Sequence, residues 1–240
     1  MDKWRKKLST PWATALVAVL FLSAGLAVGA GLALFFTEKP PAPKIAAEKA
    51  KIALPPAAKP KRASLPVAKP QWVRNAVAVP ESDGKPLIAV VIDDLGLSQK
   101  RSAMVIGLPG PLTLAFLPYA AKLPEQAERA RAAGHELLIH VPMEPEGEEA
   151  DPGPRVLTTR MQGPEILERL RWDLGRFDHY VGINNHMGSK FTKDPARLAM
   201  VFQELKTRGL LFIDSRTTSE TVARKLAREM SIPFAERKVF

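Results

Sequence analysis

The chain has 240 residues, with 35 lysine or arginine side chains against 25 aspartate or glutamate side chains, a formal net charge of +10. It contains no cysteine, which excludes disulfides, cysteine-ligated zinc and thiol catalysis, so any metal ion must be held by histidine or carboxylate groups. Residues 87–240 carry 21 basic and 20 acidic side chains, so the positive excess lies in residues 1–86. This distribution argues against nucleic-acid binding and favours an anionic membrane or envelope polymer as the partner of the basic part.

An uncharged apolar segment, residues 11–36, follows a basic tail at residues 1–10. It exceeds the ~20 apolar residues that a membrane-spanning helix needs. Because basic side chains precede it, the positive-inside rule places the N-terminus in the cytoplasm and the remainder in the periplasm or outside the cell. The alternative is a cleaved signal peptide, whose apolar core usually runs ~7–15 residues. We expect a single-pass anchor in the inner, cytoplasmic membrane.

A Pro/Ala/Lys-rich segment, residues 37–86, comes next. It has too few large apolar side chains to form a core, and proline-rich chains of this kind are extended, semi-rigid spacers. We predict a disordered linker that joins the anchor to a folded domain at residues 87–240.

In the folded segment, apolar runs alternate with helical patterns, which predicts βαβ units and an α/β fold with a parallel sheet or barrel. β-Branched and other apolar residues mark the strands, as is typical of buried parallel strands. Predicted strands cover 87–94, 112–118, 135–142 and 210–217, with a strand end at 182–189 and a strand start near 232. Predicted helices cover 121–133, 164–178, 194–208 and 219–230, the third with Asp194 as its N-cap.

Polar residues follow several of the predicted strands at the point where each strand ends. In parallel sheets and barrels the carboxyl ends of the strands meet at one edge, where functional groups gather. A divalent ion bound there by imidazole and carboxylate lowers the pKa of bound water to ~7, and a neighbouring carboxylate can accept the proton. The pattern therefore predicts a metal-assisted hydrolase. The polar residues are Asp93, Asp94, His140, Glu144, Asn184, Asn185, His186, Asp214, Ser215 and Arg216.

The segment GHELLIHVPME, residues 134–144, resembles the polysaccharide deacetylases of carbohydrate esterase family 4. That family carries Gly-His-Glu, apolar residues and then His-x-x-x-His, which Gly134, His135, Glu136 and His140 match in order and spacing. The ordered set IDDLG, HVPMEP, NNHMGS and DSRT is similar to the second, divergent branch of the family, over about residues 87–240. This resemblance implies a distorted (β/α) barrel and metal-dependent removal of N- or O-acetyl groups from glycans.

The resemblance also implies roles for individual residues. Asp93 would be the general base, and Asp94 and His140 metal ligands. The second motif histidine is Glu144 here, so either Glu144 is the third ligand or His186 supplies the second imidazole. We expect a divalent metal, zinc by preference, and an acetylated polysaccharide or cell-wall glycan as substrate. The residues expected to contact substrate are Asn184, Asn185, Asp214 and Arg216.

Two departures from the family pattern leave a second function open. One is the replacement of the motif histidine by Glu144. The other is length, because a complete barrel typically needs ~200 or more residues. We therefore expect the barrel to be incomplete at its C-terminus. The alternative function is a noncatalytic glycan-binding or envelope-organising module that retains the deacetylase fold.

Overall fold

A computed structural model describes residues 68–79, 81–147 and 149–239. The predicted membrane anchor and most of the predicted linker lie outside these residues. Within the described ranges, no helix combines the length and the apolar character that crossing a bilayer requires.

Strands and helices alternate along the described chain, as the sequence predicted. The strands are β1 (Val91–Leu95), β2 (Thr113–Phe116), β3 (Glu136–Met143), β4 (Gly182–Met187), β5 (Leu211–Asp214) and β6 (Phe234–Glu236). The helices are α1 (Gln71–Asn75), α2 (Gln99–Ile106), α3 (Leu123–Ala132), α4 (Gly163–Leu174), α5 (Pro195–Arg208) and α6 (Ala223–Met230), with a 3₁₀ helix at Phe191–Lys193.

The N-terminal residues of the helices show which helix starts could be predicted from capping residues in the sequence. Helix α5 begins as predicted, because the Asp194 carboxylate accepts hydrogen bonds from the backbone N–H groups of Ala196 and Arg197. Helix α6 begins at Ala223, four residues after the predicted start, and has no side-chain cap. Helix α2 was not predicted; its only described cap is the Ser98 hydroxyl, and few of its residues are buried.

All six strands form one parallel sheet in the sequential order β1-β2-β3-β4-β5-β6. Parallel strands in this order need successive crossovers in the same direction, and right-handed crossovers then place the helices on one face of the sheet. The sheet curls into a half-barrel around its other face. Between the described residues β1 and β6 are not paired, so the predicted distorted barrel is observed as an open α/β half-barrel.

The main core lies between the helices and the convex face of the sheet. Side chains alternate between the two faces of a strand, so residues spaced by two share this core. Its fully buried strand residues include Leu114, Phe116, Ile139, Ile183 and Phe212. The intervening residues of the same strands point to the concave face.

The concave face is apolar near the amino ends of the strands, where Trp72 of α1 packs on a small buried cluster. The Trp72 backbone N–H also donates to the Gly209 carbonyl at 2.9 Å. Gly209 has φ +66°, and a Cβ there would lie 3.1 Å from the Gln71 nitrogen, so this approach favours glycine. Helix α1 lies inside the predicted linker, yet it packs on the domain. The cluster consists of Ala115, Leu138 and Val181.

Candidate metal centre

The polar half of the concave face begins where the apolar cluster ends. In β3, Leu138 belongs to the apolar cluster and His140, two residues on, points to the same face. His140 is the register partner of Asn184 in β4, and His186 lies two residues beyond Asn184. Pairing of these two strands therefore brings both imidazoles and one amide to the carboxyl edge of the concave face.

Strand β1 delivers two consecutive carboxylates, which a regular strand would send to opposite faces. Its register is irregular: Ile92 pairs with Leu114 and Leu95 with Phe116, so three residue steps oppose two. Asp94 takes a left-handed conformation at this bulge, with φ +61°. Such a bulge re-aims side chains, and here it turns Asp94 toward the same site as Asp93.

Asp94, His140 and His186 converge on one small region. The Asp94 Oδ1 atom lies 2.9 Å from His186 Nδ1 and 3.3 Å from His140 Nε2. The two ring nitrogens lie 3.2 Å apart. The His140 side chain is buried, whereas that of Asp94 is 64% exposed, which leaves the group accessible from one side. These three atoms form a candidate metal-binding group in the described residues.

A hydrogen-bond network fixes the orientation of the His140 ring. Asn184 Nδ2 donates to the Asp93 carboxylate at 2.7 Å, so its Oδ1 must face His140 Nδ1, at 2.9 Å. An amide oxygen accepts only, and His140 Nδ1 therefore carries the proton. The Nε2 lone pair is then directed toward Asp94 and His186. Metal-binding histidines typically donate their other ring N–H to an oxygen in this way.

The protonation states suit a cation. Burial lowers the pKa of His186, and the neighbouring His140 ring lowers it further, so His186 is neutral at pH 7. Contact with His140 holds the pKa of Asp94 below its usual value, so Asp94 is ionised. When both rings are neutral, the three facing atoms, Asp94 Oδ1, His140 Nε2 and His186 Nδ1, carry at most one proton among them, because the His140 proton is on Nδ1. A cation between them relieves this crowding.

The donor set fits a divalent metal ion such as zinc. Two imidazole nitrogens and one carboxylate oxygen form a common three-ligand set in catalytic zinc sites, which keep a fourth position for water. With zinc–ligand distances of about 2.0–2.2 Å and tetrahedral angles, ligand atoms lie about 3.3–3.6 Å apart. The observed separations of 2.9–3.3 Å are close to this spacing.

Glu144, one of the two alternatives for the third ligand, lies outside this group. One carboxylate oxygen accepts hydrogen bonds from the Thr159 backbone N–H and hydroxyl, at 2.6 and 2.7 Å. The other contacts Lys190 Nζ at 2.6 Å. Glu144 therefore fixes the segment after β3, and the structure brings His186 rather than Glu144 to the metal-binding group.

Asn185, predicted to contact substrate, alternates with Asn184 and His186 and is fully buried on the convex face. Its Oδ1 accepts from the Ser215 backbone N–H at 2.9 Å, and its Nδ2 donates to the Met187 carbonyl at 2.7 Å. Asn185 therefore holds the loops that follow β4 and β5, and the geometry assigns it a structural role.

Asp214 and Arg216 have different positions at the end of β5. Asp214 is fully buried and alternates with the concave-face residue Ile213, so it lies on the convex side. It accepts from the Arg216 backbone N–H and the Thr221 hydroxyl, both at 2.8 Å, and thus shapes the loop. The Arg216 side chain stays at the edge, where its Nη1 contacts Glu236 at 3.3 Å.

Two further residues lie near the centre: Tyr119, which was not predicted from the sequence, and Ser215, which was predicted as a strand-end residue without an assigned role. Tyr119 follows β2 at the same edge; burial raises its pKa, and the negative charge of Asp94 raises it further. The Ser215 hydroxyl accepts a hydrogen bond from Asn184 Nδ2 at 3.3 Å. The signal for Tyr119 was its place directly after a predicted strand, in the segment LPY.

Known proteins of similar sequence share this domain. The family model described as divergent polysaccharide deacetylase matches residues 90–240. YibQ, an uncharacterised protein of Escherichia coli, is 35% identical over 165 residues, which are 69% of this chain and 51% of YibQ. An uncharacterised protein of Haemophilus influenzae is 32% identical over 155 residues, which are 64% of this chain and 54% of that protein. The chain spans about half the length of these curated relatives.

A solved structure shares the fold. The crystal structure of an uncharacterised protein from Agrobacterium tumefaciens matches with a TM-score of 0.67 and 29% sequence identity. The match covers 71% of this chain and 70% of that chain. It supports the α/β architecture described above.

Proposed function

Because the chain belongs to the divergent polysaccharide deacetylase family, we propose that it is a metal-dependent hydrolase that removes acetyl groups from an envelope or extracellular polysaccharide. One observation carries the proposal: Asp94, His140 and His186 direct three ligand atoms to one point, 2.9–3.3 Å from one another. The bond hydrolysed would be an amide or an ester of acetate.

The residues of the centre have complementary roles in this reaction. Asp94, His140 and His186 would hold the ion, which when bound acidifies a water molecule and polarises the acetyl carbonyl. Asp93 would accept the proton of the attacking water, and its side chain is 38% exposed, so water reaches it. Asn184 positions both groups, since it donates to Asp93 and accepts from His140.

A second candidate is a noncatalytic glycan-binding module. The observation that favours it concerns Glu144, which replaces the second histidine of the motif. Its carboxylate accepts hydrogen bonds from Lys190 and Thr159 and is directed away from the metal-binding group. Such a module would bind glycan with an affinity that chelators leave unchanged.

We also propose the location. The apolar segment at residues 11–36 would anchor the chain in the inner membrane, with the domain in the periplasm or outside the cell. The support is the sequence pattern of a basic tail followed by an uncharged segment.

The proposal is tested by metal content and acetate release of the purified full chain. We expect about one zinc ion per chain and acetate release that a chelator abolishes. The variant His140→Ala should lose both. His179→Asn is the matched control, because His179 is exposed, lies outside the group, and has φ +66°, which asparagine tolerates.

Equal zinc in the wild type and in His140→Ala would overturn the metal assignment. Zinc loss with no acetate release from any acetylated glycan would favour the noncatalytic module. Thermal unfolding of each variant shows whether a loss of zinc reflects a loss of fold.

A further inference from the structure

The chain has two tyrosines, and their hydroxyl groups have different surroundings. The Tyr180 ring is buried, and its hydroxyl donates to the Leu174 carbonyl at 2.8 Å. The Tyr119 side chain is only half-buried, and its hydroxyl forms no hydrogen bond within the described residues. The Tyr119 hydroxyl is therefore available to an acceptor on a bound molecule.

Tyr119 follows the strand that lies between two strands of the metal centre. The sheet order places β2 between β1, which carries Asp94, and β3, which carries His140. The last residue of β2, Phe116, pairs with Leu95 and with Ile139, the chain neighbours of these two ligands. The segment that carries Tyr119 therefore begins beside both ligands, at the carboxyl edge of the sheet.

The turn that follows Asp94 packs directly on the Tyr119 segment. A Cβ at Gly96 would lie 2.6 Å from the Ala120 Cβ, and Gly96 has φ +109°, so glycine lets the two turns approach. Burial raises the pKa of Tyr119, and the negative charge of Asp94 raises it further. The phenol is thus neutral at pH 7 and remains a hydrogen-bond donor.

The segment after β3 bounds the phenol itself. A Cβ at Gly153 would lie 2.6 Å from the Tyr119 Oη atom and 2.7 Å from its Cζ atom. Gly153 has φ +80°, and its backbone N–H donates to the Asp151 carboxylate at 2.9 Å, which fixes a tight turn. The ring therefore lies against the segment after β3, while its backbone is fixed on the turn after β1.

The proposed reaction needs a donor at this edge. When water adds to an acetyl group, the carbonyl oxygen gains negative charge. Asp93 and Asp94 are acceptors and cannot stabilise that charge, whereas a neutral hydroxyl can. A donor fixed in advance beside the developing oxyanion is among the largest contributions to catalysis of acyl transfer.

We propose that the Tyr119 hydroxyl donates a hydrogen bond to the acetyl carbonyl oxygen and stabilises the negative charge that this oxygen gains. The inference rests on the proposed deacetylase function and adds a catalytic residue to it. As the water oxygen bonds to the carbonyl carbon, Asp93 takes one water proton and the carbonyl π electrons move to the oxygen. They return as the bond to the sugar nitrogen or oxygen breaks, and this leaving atom takes the proton from Asp93. Tyr119 keeps its own proton throughout.

The first test is steady-state acetate release by the zinc-loaded full chain. The probes are an N-acetylated chito-oligosaccharide and an O-acetylated xylo-oligosaccharide, which cover both acetyl linkages. We expect Tyr119→Phe to lower kcat about 10²–10³-fold and to change KM less than about threefold, because the donor acts on charge formed in the transition state. Zinc content should stay unchanged.

Tyr180→Phe is the matched control, because it removes the hydroxyl whose partner lies within the chain. It should lower the temperature of unfolding and leave kcat unchanged. A second measurement is calorimetric binding of acetohydroxamate, which carries an acetyl carbonyl and binds zinc. Its Kd should rise about tenfold in Tyr119→Phe and stay constant in Tyr180→Phe.

The inference is overturned if the two tyrosine variants release acetate at equal rates, or if they bind acetohydroxamate equally well. The two proposals fail separately. A wild type that releases acetate with no dependence on Tyr119 sustains the deacetylase and removes this residue from catalysis. A wild type that releases no acetate removes the hydrolysis, and weaker acetohydroxamate binding by Tyr119→Phe then sustains Tyr119 as a donor to a bound acetyl group.

Discussion

Two ends of the same sheet edge handle charge in opposite ways. Beside β1, β3 and β4, three potential ligand atoms from Asp94, His140 and His186 lie within 3.3 Å of one another. Beside β5 and β6, one carboxylate of Glu236 is surrounded by three cationic donors. Acceptor atoms that crowd together indicate a cation site, whereas the Glu236 carboxylate already has its cationic partners within the folded chain.

Among the variants that test the cation site, the largest effect on activity is expected at Asp93. Replacement Asp93→Asn removes the proposed proton acceptor while keeping a group of the same size beside Asn184. We expect kcat to fall by about 10²–10⁴-fold, with zinc content unchanged. Steady-state acetate release and metal analysis measure both. A wild-type rate in this variant would remove Asp93 from the mechanism.

The next largest effect is expected on the pH dependence of stability, and it comes from Asp173, a buried carboxyl group away from the metal centre. Neither of its oxygens has a hydrogen-bond partner, and burial raises its pKa to about 8, against the influence of Arg155, Arg169 and Arg176. Between about pH 4 and pH 8 the folded chain holds this proton and the unfolded chain releases it. The free energy of unfolding therefore falls as pH rises, by about 1.4 kcal/mol per pH unit from this group.

Asp173→Asn should remove that slope, so its stability relative to the wild type rises by about 3.5 kcal/mol between pH 5 and pH 8. Urea unfolding across this range measures the difference. Asp178→Asn, at an exposed position nearby, is the control and should follow the wild type. Parallel stability curves for Asp173→Asn and the wild type would contradict the buried, protonated state.

A smaller effect is expected at Asn184. Asn184→Ala leaves the three ligands in place and removes the acceptor that holds the His140 Nδ1 proton. We expect zinc affinity to fall about 10–100-fold, as for other outer-shell partners. Competition with a chelator of known affinity measures it. Ser215→Ala, which removes only a 3.3 Å contact to the same amide, is the control and should have little effect.

The smallest effect is expected at Glu144, the alternative ligand predicted from the motif. Glu144→Gln should leave zinc content unchanged and lower stability by about 1–2 kcal/mol, because charged hydrogen bonds to Thr159 and Lys190 weaken. Metal analysis and denaturant unfolding separate the two readouts. A loss of zinc without a loss of stability would return Glu144 to the ligand set.

Local patterns explain what the sequence predicted well. Apolar runs identified the strands, and Asp194 with Pro195 identified the start of α5. The polar residues at strand ends follow from the parallel fold, so Asp93, His140 and His186 were recognisable at one edge. Alternation along β5 could also have shown that Asp214 does not face the site. Asp214 is two residues from the core residue Phe212 and therefore lies on the same, convex face.

Non-local contacts explain what the sequence did not predict. Glu144 is removed from the ligand set by Lys190, which is 46 residues away in the chain. The packing of α1 within the predicted linker depends on contacts with residues far along the sequence: Trp72 packs on the apolar cluster, and Asn75 Nδ2 donates to the Tyr180 carbonyl. The bulge in β1 that turns Asp94 inward arises from the pairing of β1 with β2, and the residue pattern of IDDLG does not predict it.

The most direct measurement of the central claim is X-ray absorption at the zinc edge on the purified full chain, compared with His186→Ala. The account predicts a first shell of two imidazole nitrogens and carboxylate or water oxygen at about 2.0–2.2 Å, and one imidazole fewer in the variant. A shell without imidazole, or the same shell in both proteins, would contradict a shared ion at Asp94, His140 and His186.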